Sequence, residues 1–221
     1  MADPMNPGRW KLVIVMSVIG MVGAGVAAKL VLGWKAAAAM TFAELAAVLV
    51  YWAMTKDPII PKLLVFGLLV GFGELASDAY SVVVKGTLVY PAGEPMIWAS
   101  PFYMPVSWLA IMVQGGFMAW AFRQRFGVVK AVLILVLVGG SYVPLYEYLA
   151  RNANFWYYQN CRMLLGHTPY YVILAEALLC GALPFLMKDL PGLTWGKVVL
   201  FAVLESAVIL GASVLAFALV G

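Results

Sequence analysis

Six carboxylates lie inside apolar stretches of this chain: Glu44, Glu74, Asp78, Glu147, Glu176 and Glu205, out of ten acidic residues in all. An acid in hydrocarbon costs roughly 2.5–3.5 kcal/mol on insertion scales, so it normally faces protein and serves a purpose there. Glu74 and Asp78 stand four residues apart, which puts them on one helical face about 6 Å from each other. Two carboxylates that close in a poor dielectric cannot both ionise easily. A neutral acid beside an ionised one suits general-acid chemistry. The plainer reading is a hydrogen-bonded clasp between helices. Glu176 sits in the apolar run 173–179 with no charge nearby in sequence. Glu147, flanked by Tyr146 and Tyr148, has Arg151 four residues on, and taken alone it reads as an i,i+4 ion pair. Glu44 and Glu205 have small neighbours (Ala46 and Ala47; Ser206 and Ala207) and read as helix clasps.

Other chemistries lack their residues. His167 is the single histidine, too few for histidine-based haem, copper or di-iron sites, and the two cysteines fit neither a disulfide framework nor a zinc motif. The sequence has no phosphate loop, no Asp-rich diphosphate motif and no Ser/His/Asp arrangement. Neither a metal nor a cofactor is expected. What remains is carboxylic acids, tyrosines and aromatic faces. That set suits one reaction class: an acid protonates an alkene, aromatic rings stabilise the cation, and water or a second alkene captures it.

The elements that must position these groups are membrane helices. The 221 residues are 65% hydrophobic and 11% charged, with a mean hydropathy of +0.97. No soluble domain of this length hides so much apolar surface. The net charge of +4 is spread over loops, with no basic block suited to nucleic acid. The apolar run after Lys11 resembles a signal peptide around Ala24–Ala28 and is read as a retained first span. The expectation is a single all-α domain over 1–221, a polytopic bundle of about seven transmembrane helices. The spans are near 10–33, 36–54, 60–84, 101–122, 127–150, 168–187 and 195–220.

Nine lysines and arginines fall on one side of that arrangement and five on the other. The positive-inside rule then places the N-terminus in the cytoplasm and the C-terminus outside, in a bacterial inner membrane or an equivalent one. The loops 85–100 and 151–167 are long, aromatic and on the outer side, whereas the inner connections are short and plain. Glu74, Asp78, Glu147 and Glu176 then share the outer half of the bilayer, with Glu94 in the loop above them. Convergence from several helices is what a cavity needs.

The densest segment runs from Glu94 through Trp98, Pro101, Tyr103 and Pro105 to Trp108. Pro101 suits the first turn of a helix, and Pro105 is expected to loosen the next turn. Tyr103 can offer a hydroxyl to a carboxylate. A fainter echo follows: Thr168-Pro169-Tyr170-Tyr171 opens one span much as Pro101-Phe102-Tyr103 opens another. Asp78 precedes Pro101 by 23 residues, and Glu147 precedes Pro169 by 22. A duplicated helix–loop–helix unit and chance both account for this.

At Trp156-Tyr157, Gly166-His167-Thr168-Pro169 and Glu176 the chain resembles small integral-membrane isoprenoid enzymes. These are the heterodimeric-type lycopene cyclases, the carotenoid hydratases and the membrane terpene cyclases. Pro101 to Trp108 is similar to a proline–tryptophan helix start in the hydratases. The cyclases carry a paired glutamate after the proline, whereas only Glu176 stands here. The resemblance implies metal-independent, acid-catalysed cyclisation or hydration of a lipophilic polyene or prenylated substrate. Glu74, Asp78, Glu176, Glu147 and Glu94 would be the catalytic set; Trp98, Tyr103, Trp108, Tyr146, Trp156 and Tyr157 would line the substrate. Two other readings stay open. A proton-coupled carrier would distribute its acids through the membrane's depth. A non-catalytic pigment- or lipid-binding subunit would pair them off.

Overall fold

The computed structural model describes residues 3–221. Six α-helices follow one another: α1 (Pro7–Leu30), α2 (Trp34–Thr55), α3 (Ile60–Ala79), α4 (Met104–Asn152), α5 (Tyr170–Leu186) and α6 (Trp195–Val220). A π-helical turn, Tyr80–Val84, prolongs α3. Five of these helices, counting α3 with its π turn, are long and apolar enough to cross a membrane; α5 is a shorter apolar helix. Their outward faces carry exposed Val15, Leu133, Leu137 and Val203. Apolar side chains on the outside are what a helix facing lipid presents.

As a straight helix of 49 residues α4 would be about 73 Å long, more than twice a bilayer core. It is not straight, because Gly127 leaves helical geometry at φ 79 and ψ 169, a conformation open to glycine. Gly115 packs on Leu183 of α5, and Gly139, 24 residues later, packs on Cys180. Those two α5 residues lie within one turn, so the chain must reverse at Gly127. The two arms of α4, 104–126 and 128–152, run antiparallel.

The first arm lies against α3 at near-backbone distance. A Cβ at Gly67 would come 2.8 Å from the Leu109 carbonyl oxygen, and one at Gly71 would collide with that of Pro105. Small residues at such crossings are how helices associate without a hydrophobic drive between them. α3 also packs on α6, and α5 fills the space between α4 and α6. α1 and α2 lie on the flank of α4.

The two ends of the bundle differ. At the plain end, Arg9 makes a buried ion pair with Asp57 at 2.6 Å. Lys62 donates to the Pro191 carbonyl (2.6 Å), Arg123 to that of Pro184 (2.7 Å), and Gln124 to that of Lys188 (2.9 Å). The carbonyls at and beyond the α5 C-terminus are thus met by cations and an amide donor, as the helix dipole favours. At the other end, the segments 85–103 and 153–169 fold into a cap. Strand β1 (Leu88–Val89) pairs antiparallel with β4 (Tyr157–Tyr158), joining the two segments. Each segment then makes its own hairpin: β2 (Met96–Ile97) with β3 (Ser100–Pro101), and β5 (Met163–Leu164) with β6 (Thr168–Pro169).

The prolines settle differently from the sequence expectation. Pro101 belongs to β3 rather than to a first helical turn. Pro105 takes the first turn of α4, where its missing N–H costs nothing. The interior prolines are instead Pro144 and Pro184.

Candidate functional site

The acids converge beneath the cap. α3 brings Glu74 and Asp78, the second arm of α4 brings Glu147, α5 brings Glu176 and α6 brings Glu205. Glu74, Asp78, Glu147 and Glu205 are all buried. Glu74 lies beside both Asp78 and the indole of Trp108, and its Oε2 has no hydrogen-bond partner. Asp78 accepts a hydrogen bond from the Tyr90 hydroxyl at 2.6 Å and stands next to the buried hydroxyl of Ser100. Glu176 lies within electrostatic range of Glu74, Glu147 and Glu205, which makes it the centre of the group.

Glu147 is not paired with Arg151. Arg151 reaches back to the Gly166 carbonyl, and Glu147 takes the Trp156 indole N–H at 2.7 Å and the Tyr158 hydroxyl at 3.4 Å. The cap's aromatic residues, not a neighbouring cation, satisfy this acid. The two carboxylates are also linked through their donors, because the Tyr90 and Trp156 rings meet edge to face at 6.3 Å. Tyr146 packs on Trp156 at 5.9 Å and stacks on Tyr142 at 5.6 Å.

The residues around this core divide. Tyr103 is fully buried, and its hydroxyl donates to Glu94 Oε2 at 3.4 Å. Glu94 itself is buried within the cap with Oε1 unpartnered. Burial pushes its carboxyl up to about 7 against the smaller lowering by Tyr103. Tyr103 also lies within electrostatic range of Asp78. Trp98 lies apart, 69% exposed at the β2–β3 turn with a left-handed φ of 56°. Tyr157 is exposed in β4, opposite Val89.

Among the described residues, no hydrogen bond joins Glu205 or Glu44 to another helix. Glu205 is completely buried with both oxygens unpartnered. It therefore belongs with the acid group that Glu176 centres. Glu44 is half-buried on α2, where Gly20 of α1 leaves room for its carboxyl; a Cβ there would come 2.9 Å from Oε1. Its ionisable neighbours are Tyr142 and Tyr146. The sequence reading missed Tyr90, Ser100 and Tyr158. A tyrosine in a loop carries no spacing signal until the strand pairing of β1 with β4 brings it over a helix. Among the described residues, no cluster of His, Cys, Asp and Glu has the makings of a metal site.

Residues 75–220 match the model of a family described as a domain of unknown function, DUF6989, and the chain belongs to that family. The matched stretch begins one residue after Glu74 and holds Asp78, Glu94, Glu147, Glu176 and Glu205. No curated protein and no solved structure matches the chain.

Proposed function

We propose that this member of the DUF6989 family is an integral-membrane isoprenoid cyclase or hydratase. The observation that carries this reading is the convergence of carboxyls from four helical elements under an aromatic cap. In the proposed cycle the Glu74–Asp78 pair delivers a proton to an alkene carbon, forming a C–H bond and leaving a carbocation. Trp108, Tyr103 and Trp156 offer ring faces that stabilise the cation. A second alkene closes a C–C bond, or water adds and forms a C–O bond. Glu147 or Glu176 accepts the proton released, so no oxidant or reductant is consumed. The substrate is a lipophilic polyene or prenylated molecule dissolved in the bilayer.

The proposal includes a topology of seven spans, with each arm of α4 crossing once. The N-terminus is cytoplasmic, the C-terminus and cap lie outside, and the acids occupy the outer half of the membrane. Support comes from the reversal at Gly127 and from the basic groups gathered at the plain end.

Turnover is tested with farnesylated and geranylgeranylated phenols and with lycopene, in membranes containing the protein. Asp78→Asn and Glu74→Gln should each lower product formation by about 10²–10⁴-fold, the usual contribution of a positioned proton donor. Wild-type rates in both variants would sink the acid-pair assignment. The buried, unpartnered Glu205 favours a second reading, a proton-coupled carrier, because it extends the acids along the bundle. Proton uptake by proteoliposomes, lost in Glu205→Gln, would favour that reading over the enzyme.

A further inference from the structure

Glu74 and Asp78 are buried, so a substrate needs a way in to them, and the cap shows one place for it. A cleft of about 280 Å³ opens between the π turn and the 86–99 loop, walled by Val82, Leu88, Val89, Met96, Ala99 and Tyr90. Two observations connect it to the site, and a third describes its mouth. Tyr90 lines the cleft and, through its hydroxyl, holds Asp78 at 2.6 Å. The π turn that forms one wall begins two residues after Asp78, and π-helical turns recur at functional sites. Val83 and Val84 beside it are 68% and 67% exposed and form an apolar lip.

The lining also selects the occupant. It holds no charged side chain, and its rim amide, Gln159, is already bonded to the Gly86 carbonyl at 3.3 Å. The lining offers an ionic headgroup no charged partner, since Lys85 beside it lies over the Tyr80 and Phe217 rings, whereas an apolar chain would find contact. The volume is just below the ~300–1,000 Å³ of whole small-molecule sites, which suits the end of a chain more than a complete substrate.

We infer that this cleft is the port by which the isoprenoid chain of a lipid-dissolved substrate reaches the acids, with Tyr90 as the movable wall between cleft and Asp78. The inference rests on the proposed function and adds its route. Displacing the Tyr90 ring both opens the passage and frees the Asp78 oxygen it occupies, so arrival of the chain exposes the acid that acts on it.

The test uses the full-length protein in nanodiscs and a farnesol analogue bearing a diazirine, with labelled peptides mapped by mass spectrometry. Label is expected within 82–99 and should be competed by farnesol. Val82→Trp, which fills the cleft from the helix side, should cut that label at least tenfold, and Val89→Trp, from the strand side, should do the same. Two walls are used so that one misfolded variant does not decide the matter. Tyr90→Ala should carry label through to 74–78. Label confined to the cleft in Tyr90→Ala would overturn the wall. Label on 74–78 that ignores both tryptophans would place the port elsewhere and leave the enzymatic reading standing. Equal competition by dodecanol would mark a general lipid crevice and overturn the isoprenoid assignment. No farnesol-competed label anywhere would overturn the port and the proposed function together.

Discussion

Two helix–loop–helix units of this molecule follow one plan with different residues: α3 with the first arm of α4, and the second arm of α4 with α5. Each carries an acid near the end of its first helix, Asp78 or Glu147. Each then sends out a strand, β1 or β4, and these two strands pair with one another. Each ends in a hairpin whose last strand holds a fully buried hydroxyl before proline, Ser100-Pro101 or Thr168-Pro169. Two residues after each proline comes a fully buried tyrosine, Tyr103 or Tyr171. Seven residues before each acid stands a glycine, and it faces the residue four past the proline: Gly71 meets Pro105, and Gly140 meets Ile173. The fillings differ where chemistry is proposed. Glu74 in the first unit corresponds to Val143 in the second, and Trp108 corresponds to Glu176, counting from acid and proline. The shared positions build the frame, and the unshared ones give one site two unlike halves.

The strongest way to break this comparison is at the shared acids. If the two units supply the two ends of one proton transfer, Glu147→Gln should lower turnover of the polyene panel by about 10²–10⁴-fold, the same loss expected of Asp78→Asn. The amide still accepts from Trp156, so size and one hydrogen bond survive the change. A normal rate in Glu147→Gln beside an inactive Asp78→Asn would reduce the second acid to a partner for the cap and leave Glu176 to accept the proton.

A smaller effect separates the two helix contacts. A methyl at Gly71 would strike the Pro105 carbonyl, which is backbone and cannot swing aside. At Gly140 the nearest atom to a new Cβ is that of Ala177 at 3.7 Å, an ordinary contact. Gly71→Ala should therefore cost about 1–3 kcal/mol, the usual penalty of overpacking. Gly140→Ala should be neutral to slightly stabilising, since the new methyl meets only ordinary contacts and helix propensity favours alanine over glycine. Reversible unfolding in mixed micelles measures both. Equal losses would mean the second unit is packed as tightly as the first at this position. The tight glycine of the second unit is Gly139, where a Cβ would come 2.7 Å from the Cys180 sulfur.

Much of this was legible in the sequence where membrane physics leaves few options. Runs of about 20 apolar residues gave the helices, and α6 (Trp195–Val220) and the helix over 60–84 fall where hydropathy put them. The proline spacing fitted a repeated unit and chance alike. The acids were visible because charge is rare in such runs. Their partners were not, for a physical reason. Glu147 and Arg151 have the spacing of an ion pair, but the cap offers Glu147 an indole and a hydroxyl, and Arg151 a carbonyl. Such competition is decided by strands of two residues, too short to leave a pattern. Glu205 looked like a clasp because small neighbours permit close contact, yet no donor reaches it.

The mildest test asks whether the two halves of the cap respond alike to pH. The backbone bonds Phe102 N–H to Pro95 O and Tyr170 N–H to Arg162 O align the hairpins. The residue before each acceptor then sits by the buried tyrosine: Glu94 near Tyr103 in one unit, Cys161 near Tyr171 in the other. Burial raises the Glu94 carboxyl from 4.5 to about 7. Between those values the folded cap holds a proton that the unfolded segment has released. Its contribution to stability is whole below about 4.5 and is lost as pH rises through about 7. Burial likewise raises the Cys161 thiol from 9.0, which moves its titration further above this window. Hydrogen-exchange protection of 86–103, corrected for intrinsic rates, should fall by a fewfold between pH 5 and 8, whereas that of 157–169 should not. Glu94→Gln should flatten the first response by removing the only carboxyl of that segment. A matching fall in both halves, or one that persists in Glu94→Gln, would assign the pH response to the acids beneath the cap.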